Sequence, residues 1–378
     1  MDLQELRTDI DRIDDQMTAL FVQRMEAARQ IAEWKQTHET AVTDVSRERE
    51  IINRQTGAVP PELAGYTKVL YQTLFDVSRS FQHSSNHAAS QLCTKIDRVI
   101  ESTPKERPDR AVVACQGVEG AYSQHAADKM FKYPSILYFS GFEEVFKAVD
   151  SGLCRYGVLP VENSTAGSVN EVYDLMRKYR FYITHSIKLF IGHALLAPEG
   201  VKESDIKIVY SHPQALAQCS EYIAKNRWKA HICKNTAEAA KLVAEKGRTD
   251  VAAIGAKDNA ELYGLSVLST AVQNTQNNYT RFICISKEPE IYPGANKTSI
   301  MLSLAHRPGS LYHAISRFAA LDLNLTKLES RPIAGSNFEF MFYFDVEASV
   351  YSPALRTLIT ELEAESQLFT YLGSYTED

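Results

Sequence analysis

Residues 3–82 contain charged and amide side chains whose spacing suits capture of a small polyanion. An apolar seam runs through Leu3, Leu6, Ile10, Ile13, Met17 and Leu20 at steps of three and four. The series 3, 10, 17 next reaches Arg24, where an apolar residue is due. An arginine there either sets helix register or faces a ligand. Lys35 follows eleven residues later, about 20° round the helix and roughly 16 Å along it, so the two side chains can converge. Arg7 is offset from Arg24 by about 100° and about 25 Å, so only a second, antiparallel copy of the helix could bring it to the same ligand. Asp44 stands at an N-cap position, with Arg47 and Glu48 in the turn behind it. Ser78 and Gln82 lie one turn apart on a shared face. Together these side chains form a pocket for a small polycarboxylate.

A second group lies at strand mouths. The stretches GVEGAYSQHAA (117–127), YGVLPVENSTAGSV (156–169), SHPQAL (211–216) and NYTRF (278–282) each fall where a strand gives way to a loop or helix. Such edges converge on ligand clefts in open α/β sheets. ENST can equally cap a helix, and SHPQAL can be a turn with proline at a helix start.

These groups need three kinds of scaffold. Residues 3–35 are expected to form one long helix, with further helices near 45–56 and 63–82. The stretch 84–109 is polar and closes with prolines, which places a linker at 86–109 between units 1–85 and 110–287. From 110 onward short β-rich runs alternate with amphipathic helices: AVVAC, SILYF, YGVLP, IKIVY, DVAAI and RFICI are strands, with helices near 123–132, 142–150, 168–179 and 214–225. That alternation indicates an α/β domain. Residues 297–378 read βαββαβ, a ferredoxin-like sandwich.

Bulk properties exclude several functions. The chain has 378 residues, 44% apolar and 23% charged, with net charge −6, so nothing global recruits nucleic acid or an anionic membrane. No apolar run approaches the roughly 20 residues of a membrane span. The acidic, periodic start is unlike a signal peptide. Six scattered cysteines without a C-x-x-C pair argue against a zinc site or disulfide frame and fit reduced thiols in a cytoplasmic protein. No G-x-G-x-x-G or P-loop is present, so no cofactor is expected.

Residues 3–82, as LxxLRxxIDxID…R…K…D-x-x-R-E…S-x-x-x-Q, resemble the all-helical chorismate mutase family. The resemblance implies that Arg7 of a partner chain, Arg24 and Arg47 hold substrate carboxylates and that Lys35 and Gln82 face the ether oxygen. Asp44, Glu48 and Ser78 would orient the hydroxyl end and a carboxylate. The four α/β stretches, in this order, resemble the prephenate dehydratase family, whose fold is two α/β subdomains around a cleft, similar to periplasmic-type binding proteins. In that family's terms Thr280 meets the departing hydroxyl as a hydrogen-bond donor, with Arg281 and Phe282 shaping the site. Ser123, Asn163, Ser164, Thr165 and Gln214 would line the cleft, and Glu162 is either an acid in the chemistry or a structural partner. Ala121 and Thr165 are mild departures from the family pattern.

HRPGSLYHAI and LTKLESRP resemble the signature stretches of the ACT regulatory domain. That likeness implies an L-phenylalanine site at Gly309, Ser310 and Leu311, closed by Asn324, Glu329, Ser330, Arg331 and Pro332 across a homodimer or higher assembly. Ser310 stands where that family has alanine. The reading that results is a chorismate mutase fused to a prephenate dehydratase, under feedback by phenylalanine. A mutase joined to a prephenate dehydrogenase would need a nicotinamide fingerprint, which is absent. A phenylalanine-responsive binding protein is the alternative without turnover.

Overall fold

The computed structural model describes residues 2–38, 45–85, 90–333 and 339–378. Its first unit is three helices: α1 (Leu3–Thr37), α2 (Val45–Thr56) and α3 (Pro61–Ser85). The Asp2 backbone N–H donates to Glu5 Oε2 at 3.0 Å and closes the first turn of α1. Further along, Met25, Ala28 and Ala32 are buried where α1 packs on α3, and Phe75 of α3 is buried too. The seam before Arg24 stays uncovered within the chain: Ile10 is 57% exposed and Leu20 is 64% exposed.

The stretch expected as a bare linker holds a fourth helix, α4 (Gln91–Ser102). Ser90 caps it, and Cys93 and Ile96 bury their side chains in the core of the C-terminal unit. Arg356 pairs with Asp97 at 2.5 Å and ties α4 to that unit. The polar flanks of the segment hid this short apolar stripe.

The middle of the chain forms two lobes. In the first, β1 (Arg110–Gln116), α5 (Tyr122–Met130), β2 (Tyr133–Phe139), α6 (Phe142–Asp150), β3 (Tyr156–Asn163), β4 (Gly167–Ser168), α7 (Asn170–Tyr179) and β5 (Tyr182–Phe190) follow in turn. The second holds β6 (Ala194–Ala197), β7 (Ile208–Ser211), α8 (Pro213–Gln218), α9 (Ser220–Lys225), β8 (Lys229–Ile232), α10 (Thr236–Lys246), β9 (Val251–Gly255), α11 (Asn259–Tyr263) and β10 (Ser266–Ser269). The chain then returns to the first lobe as β11 (Tyr279–Ser286). Strand orders are β2-β1-β3-β11-β5, with β4 on β3, and β10-β6-β9-β7-β8. The helix expected near 214–225 is broken at Cys219 into α8 and α9. Two passages between the lobes, β5 to β6 and β10 to β11, leave a cleft between them.

The last unit is β12 (Lys297–Ser303), α12 (Ser310–Ala320), β13 (Asn324–Pro332), β14 (Phe340–Glu347), α13 (Pro353–Glu365) and β15 (Leu368–Tyr375), in the order β13-β14-β12-β15. This is the expected βαββαβ sandwich. One face of its sheet packs Ile300, Phe344 and Tyr371 against Phe318 of α12 and Leu358 of α13. The other face, with Met301, Tyr343 and Leu372, shares a core with Val161, Ile183 and Ile283 of the first lobe. Beyond β15 the chain runs beside β5: Ser186 N donates to Thr376 O at 3.0 Å and Lys188 N to Asp378 O at 2.9 Å.

Gly373 permits this junction. Its φ is +136°, and a Cβ there would stand 2.3 Å from the Ile183 carbonyl oxygen. Gly373→Ala is therefore expected to destabilise the protein by about 1–3 kcal/mol, read as a lower urea midpoint, because backbone must give way to the added methyl. An unchanged midpoint would show that the two backbones are not held this close.

Candidate active sites

In the helical unit, Arg24 leaves the seam to meet α3. Its Nη1 donates to the Leu74 carbonyl at 3.1 Å and to Ser78 Oγ. One turn on, buried Gln82 donates through Nε2 to the Ala28 carbonyl at 2.8 Å. Glu48, from α2, accepts from Arg79. Lys35 is half-buried near the end of α1, and Arg47 pairs with Glu50 at 2.6 Å on the exposed side of α2. The structure thus brings Arg24, Ser78 and Gln82 together along the α1–α3 contact, with Glu48 beside them through Arg79. Arg7 lies on the uncovered part of α1, about 25 Å from Arg24 by helix rise, and does not join them within the chain. Asp44 lies outside the described residues.

The cleft between the lobes is a cavity of 380 Å³. Ser123, Asn163, Gln214, Thr280 and Phe282 line it, as expected. Thr280 is held by register: β11 pairs with β3 on one side and β5 on the other, placing Thr280 opposite Asn163 and Leu189. Asn163 Nδ2 donates to Thr280 Oγ1 at 2.8 Å and to Asn278 Oδ1 at 2.8 Å. Its Oδ1 accepts from the Ala166 N–H at 2.9 Å and from Thr165 Oγ1 at 2.7 Å, which fixes the amide's orientation. With a lone pair of Thr280 engaged by Asn163, the threonine proton is left to donate into the cavity.

Residues not anticipated from the sequence complete the cleft. Gln218 donates to Thr165 Oγ1 at 2.6 Å, and its Oε1 lies 3.0 Å from both His193 Nε2 and Asn278 Nδ2. Gln218 was legible, since it stands four residues after Gln214 on one helical run. His193 and Lys234 carry no local signal, because the fold alone brings them to the cleft. Burial lowers the pKa of both His193 and His212 below the ordinary histidine value and so favours the neutral ring in each. The starts of α5, α8 and α10 all border the cavity, and Lys234 adds a cation beside α10. Free backbone N–H groups at the heads of α5 and α10 suit a bound anion.

Three expectations for this cleft are corrected. Arg281 follows Thr280 on a strand, so it points to the opposite face of the sheet. There it pairs with Asp345 of β14 and with Glu377 (2.7 Å), and donates to Tyr375 Oη at 2.8 Å. Glu162 alternates in the same way and meets Lys327 of β13 at 2.7 Å, which makes it a structural partner. Ser164 braces the turn, accepting from the Tyr279 N–H at 2.9 Å and donating to the Asn277 carbonyl at 3.1 Å. Thr165 stays beside the cleft through Asn163 and Gln218.

In the C-terminal sandwich Gly309 has φ +88° and heads α12, while Ser310 and Leu311 line a cavity of 170 Å³ with Phe340 and Phe342. Ser330 and Pro332 stand opposite Phe342 and Phe340 in the β13–β14 register. Glu329 and Arg331 turn away from this cavity: Glu329 accepts from Ser168 Oγ at 2.6 Å and Arg331 pairs with Asp174 at 2.9 Å, both in the first lobe. Asn324 bonds Glu347 at 2.9 Å at the far end of β13, about 26 Å away by strand rise. One chain therefore gathers Gly309, Ser310 and Leu311, with Ser330 and Pro332 on the neighbouring strands, and leaves Asn324, Glu329 and Arg331 elsewhere.

No helix of the described residues is long and apolar enough to cross a membrane, and among them no cluster of three His, Cys, Asp or Glu side chains could hold a metal ion.

Comparisons with known proteins match both the helical unit and the two-lobed unit. Residues 6–83 match the family model of chorismate mutase type II, and residues 113–290 that of prephenate dehydratase. The bifunctional chorismate mutase/prephenate dehydratase of Escherichia coli (strain K12) is 31% identical over 385 residues, spanning 99% of this chain and 96% of the relative. The chloroplastic arogenate dehydratase/prephenate dehydratase 2 of Arabidopsis thaliana is 38% identical over 281 residues, covering 71% of this chain and 74% of the relative. The crystal structure of prephenate dehydratase in complex with L-Phe from Arthrobacter aurescens is similar at TM-score 0.65 and 26% identity, over 70% of this chain and 89% of that one.

The ion cluster behind Thr280 has a pH signature. Burial alone would raise the Glu377 carboxyl, but Arg281, Lys188 and Lys297 override it and hold it down to about 2. An unfolded glutamate titrates near about 4.3, so this pairing stabilises the fold above that pH and is lost as pH falls toward 2. Glu377→Gln is expected to cost on the order of 3 kcal/mol at pH 7, since it leaves buried cations short of a partner. It should also flatten the loss of stability with acid, read by thermal denaturation across pH. A wild-type profile in the variant would contradict this.

Proposed function

The chain belongs to the family of bifunctional chorismate mutase/prephenate dehydratases, and on that premise we propose how its residues divide the two reactions. It rearranges chorismate to prephenate, then removes carbon dioxide and the ring hydroxyl to give phenylpyruvate. We assign the first step to residues 1–85, the second to 110–287, and effector binding to an ACT-type domain at 297–378, with residues 86–109 between them. A cytoplasmic enzyme fits the free cysteines.

The mutase needs no nucleophile and no proton transfer. It must hold a folded dianion and stabilise the charge growing on the breaking C–O oxygen. Arg24, Arg47 and Arg7 of a partner chain take the carboxylates in this reading. Lys35 and Gln82 meet the ether oxygen, and Glu48, Ser78 and Asp44 orient the hydroxyl end. The exposed seam from Leu3 to Leu20 supports a second copy of α1 lying along the first, which would also carry Arg7 to Arg24.

The observation that carries the dehydratase reading is Thr280: its hydroxyl accepts from Asn163 and faces a cavity headed by two helix N-termini and Lys234. As the ring carboxylate leaves as carbon dioxide, its bonding electrons form the aromatic ring and expel the hydroxyl. Thr280 donates a hydrogen bond to that oxygen as charge builds. Ser123, Gln214 and Lys234 hold the remaining carboxylate, while Phe282 and Thr165 set the walls. Of the described residues lining the cavity none is acidic, so the ammonium of an amino-acid substrate such as arogenate would find no carboxylate. That favours the keto acid.

L-Phenylalanine is assigned to the cavity at Gly309, Ser310 and Leu311, with Ser330 and Pro332. The chain's likeness to a prephenate dehydratase solved in complex with L-Phe supports feedback by L-phenylalanine.

Thr280→Val is expected to lower dehydratase turnover by about 10²–10⁴ and spare the mutase, while Lys35→Ala does the reverse. Parallel assays of prephenate formation and phenylpyruvate formation, with and without L-phenylalanine, test all three assignments. Equal loss of both activities in either variant would contradict the division, and indifference to phenylalanine would remove the effector site.

A further inference from the structure

Asp76 sits in the middle of α3, where only 3% of it is exposed. A buried carboxylate in a helix interior is costly unless both oxygens are engaged, and here they are, by different units. Oδ1 accepts from Arg79 Nη2, and Arg79 Nη1 reaches Glu48 of α2. Oδ2 lies 2.5 Å from Nδ1 of His313, on α12 of the C-terminal sandwich. The chain His313–Asp76–Arg79–Glu48 therefore runs from the regulatory fold into the mutase pocket. Because a guanidinium is a rigid planar fork, Arg79 holds the Asp76 and Glu48 carboxylates in a fixed relation to one another. The far edge of the His313 ring meets Gly309, where a Cβ would come within 3.2 Å of Nε2. A separate hydroxyl contact, Thr73 Oγ1 to Tyr312 Oη at 3.3 Å, joins the same two helices, while the Tyr312 ring meets His313 edge-on at 5.6 Å and would be kept by phenylalanine.

We propose that His313 and Asp76 are positioning residues of the mutase reaction: through Arg79 they set the Glu48 carboxylate, so the rearrangement depends on a side chain outside the helical unit. The inference rests on the assignment of Glu48 to the chorismate site. It makes the C-terminal sandwich a structural part of the first active site as well as a neighbour of the second.

The test uses the full chain and measures mutase kcat and KM, dehydratase turnover and thermal stability. His313→Ala is expected to lower mutase kcat about tenfold, the effect of losing one hydrogen bond to a charged group, with dehydratase turnover unchanged. His313→Asn, whose amide reaches the position of Nδ1, is expected to restore most of it. Tyr312→Phe, which breaks only the neighbouring contact, is expected to leave mutase kcat as in the wild type. A wild-type mutase kcat in His313→Ala, or a loss that Asn does not repair, would overturn the proposal and reduce the contact to one that merely joins the domains. Glu48→Gln separates the two levels. If it abolishes mutase activity while His313→Ala keeps a wild-type kcat, the series fails and the site stands; if Glu48→Gln leaves the mutase intact, the site assignment itself fails, and the proposal with it.

Discussion

Neighbouring residues of a strand point to opposite sides of its sheet, and β11 divides that alternation between chemistry and architecture. Thr280 and Phe282 face the cleft between the lobes. Arg281, between them, faces the C-terminal sandwich and the end of the chain. Every hydrogen bond that holds Thr280 in place depends on the register of β11 between β3 and β5, and Arg281 is the side chain that locks β11 to the sandwich. The cleft and the C-terminal sandwich are joined at adjacent residues.

The electrostatics of that lock follow from its burial. Burial disfavours the Arg281 guanidinium, yet Tyr375, Asp345 and Glu377 around it outweigh the effect and raise its pKa above the ordinary arginine value. Charges taken so far out of water are tolerated only where each has a counter-charge within contact. The sandwich supplies Asp345 and Lys297, and the last residues of the chain supply Glu377 as they run beside β5. Separating the two units would expose an unmatched set on either side, so the surface between them behaves as core. The sandwich therefore grips β11 at Arg281, one residue from Thr280.

Much of this was legible in the sequence because it rests on local rules. The 3–4 spacing of Leu3 to Leu20 marked α1, and the misfit of Arg24 marked the point where α1 turns to α3. The βαββαβ order of the last unit was readable from period and turns. What stayed hidden depends on non-local geometry. NYTRF was read as one functional block, although period two assigns Arg281 to the other face. The same period separates Glu162 from Asn163. Cys93 and Ile96 of α4 form too short a stripe to signal a helix inside a polar segment. His193 and Lys234 become cleft residues only once the two lobes meet. Asp76 and His313 lie 237 residues apart, and no pattern within either helix announces that they touch.

The central claim is that one chain carries both reactions, with Thr280 meeting the leaving hydroxyl of the second. The most direct measurement gives the purified protein chorismate alone, with no added cofactor, and follows prephenate and phenylpyruvate together. The account predicts that prephenate rises and then falls as phenylpyruvate accumulates. Prephenate that accumulates and persists would contradict it, leaving a working mutase joined to a cleft that binds without turnover.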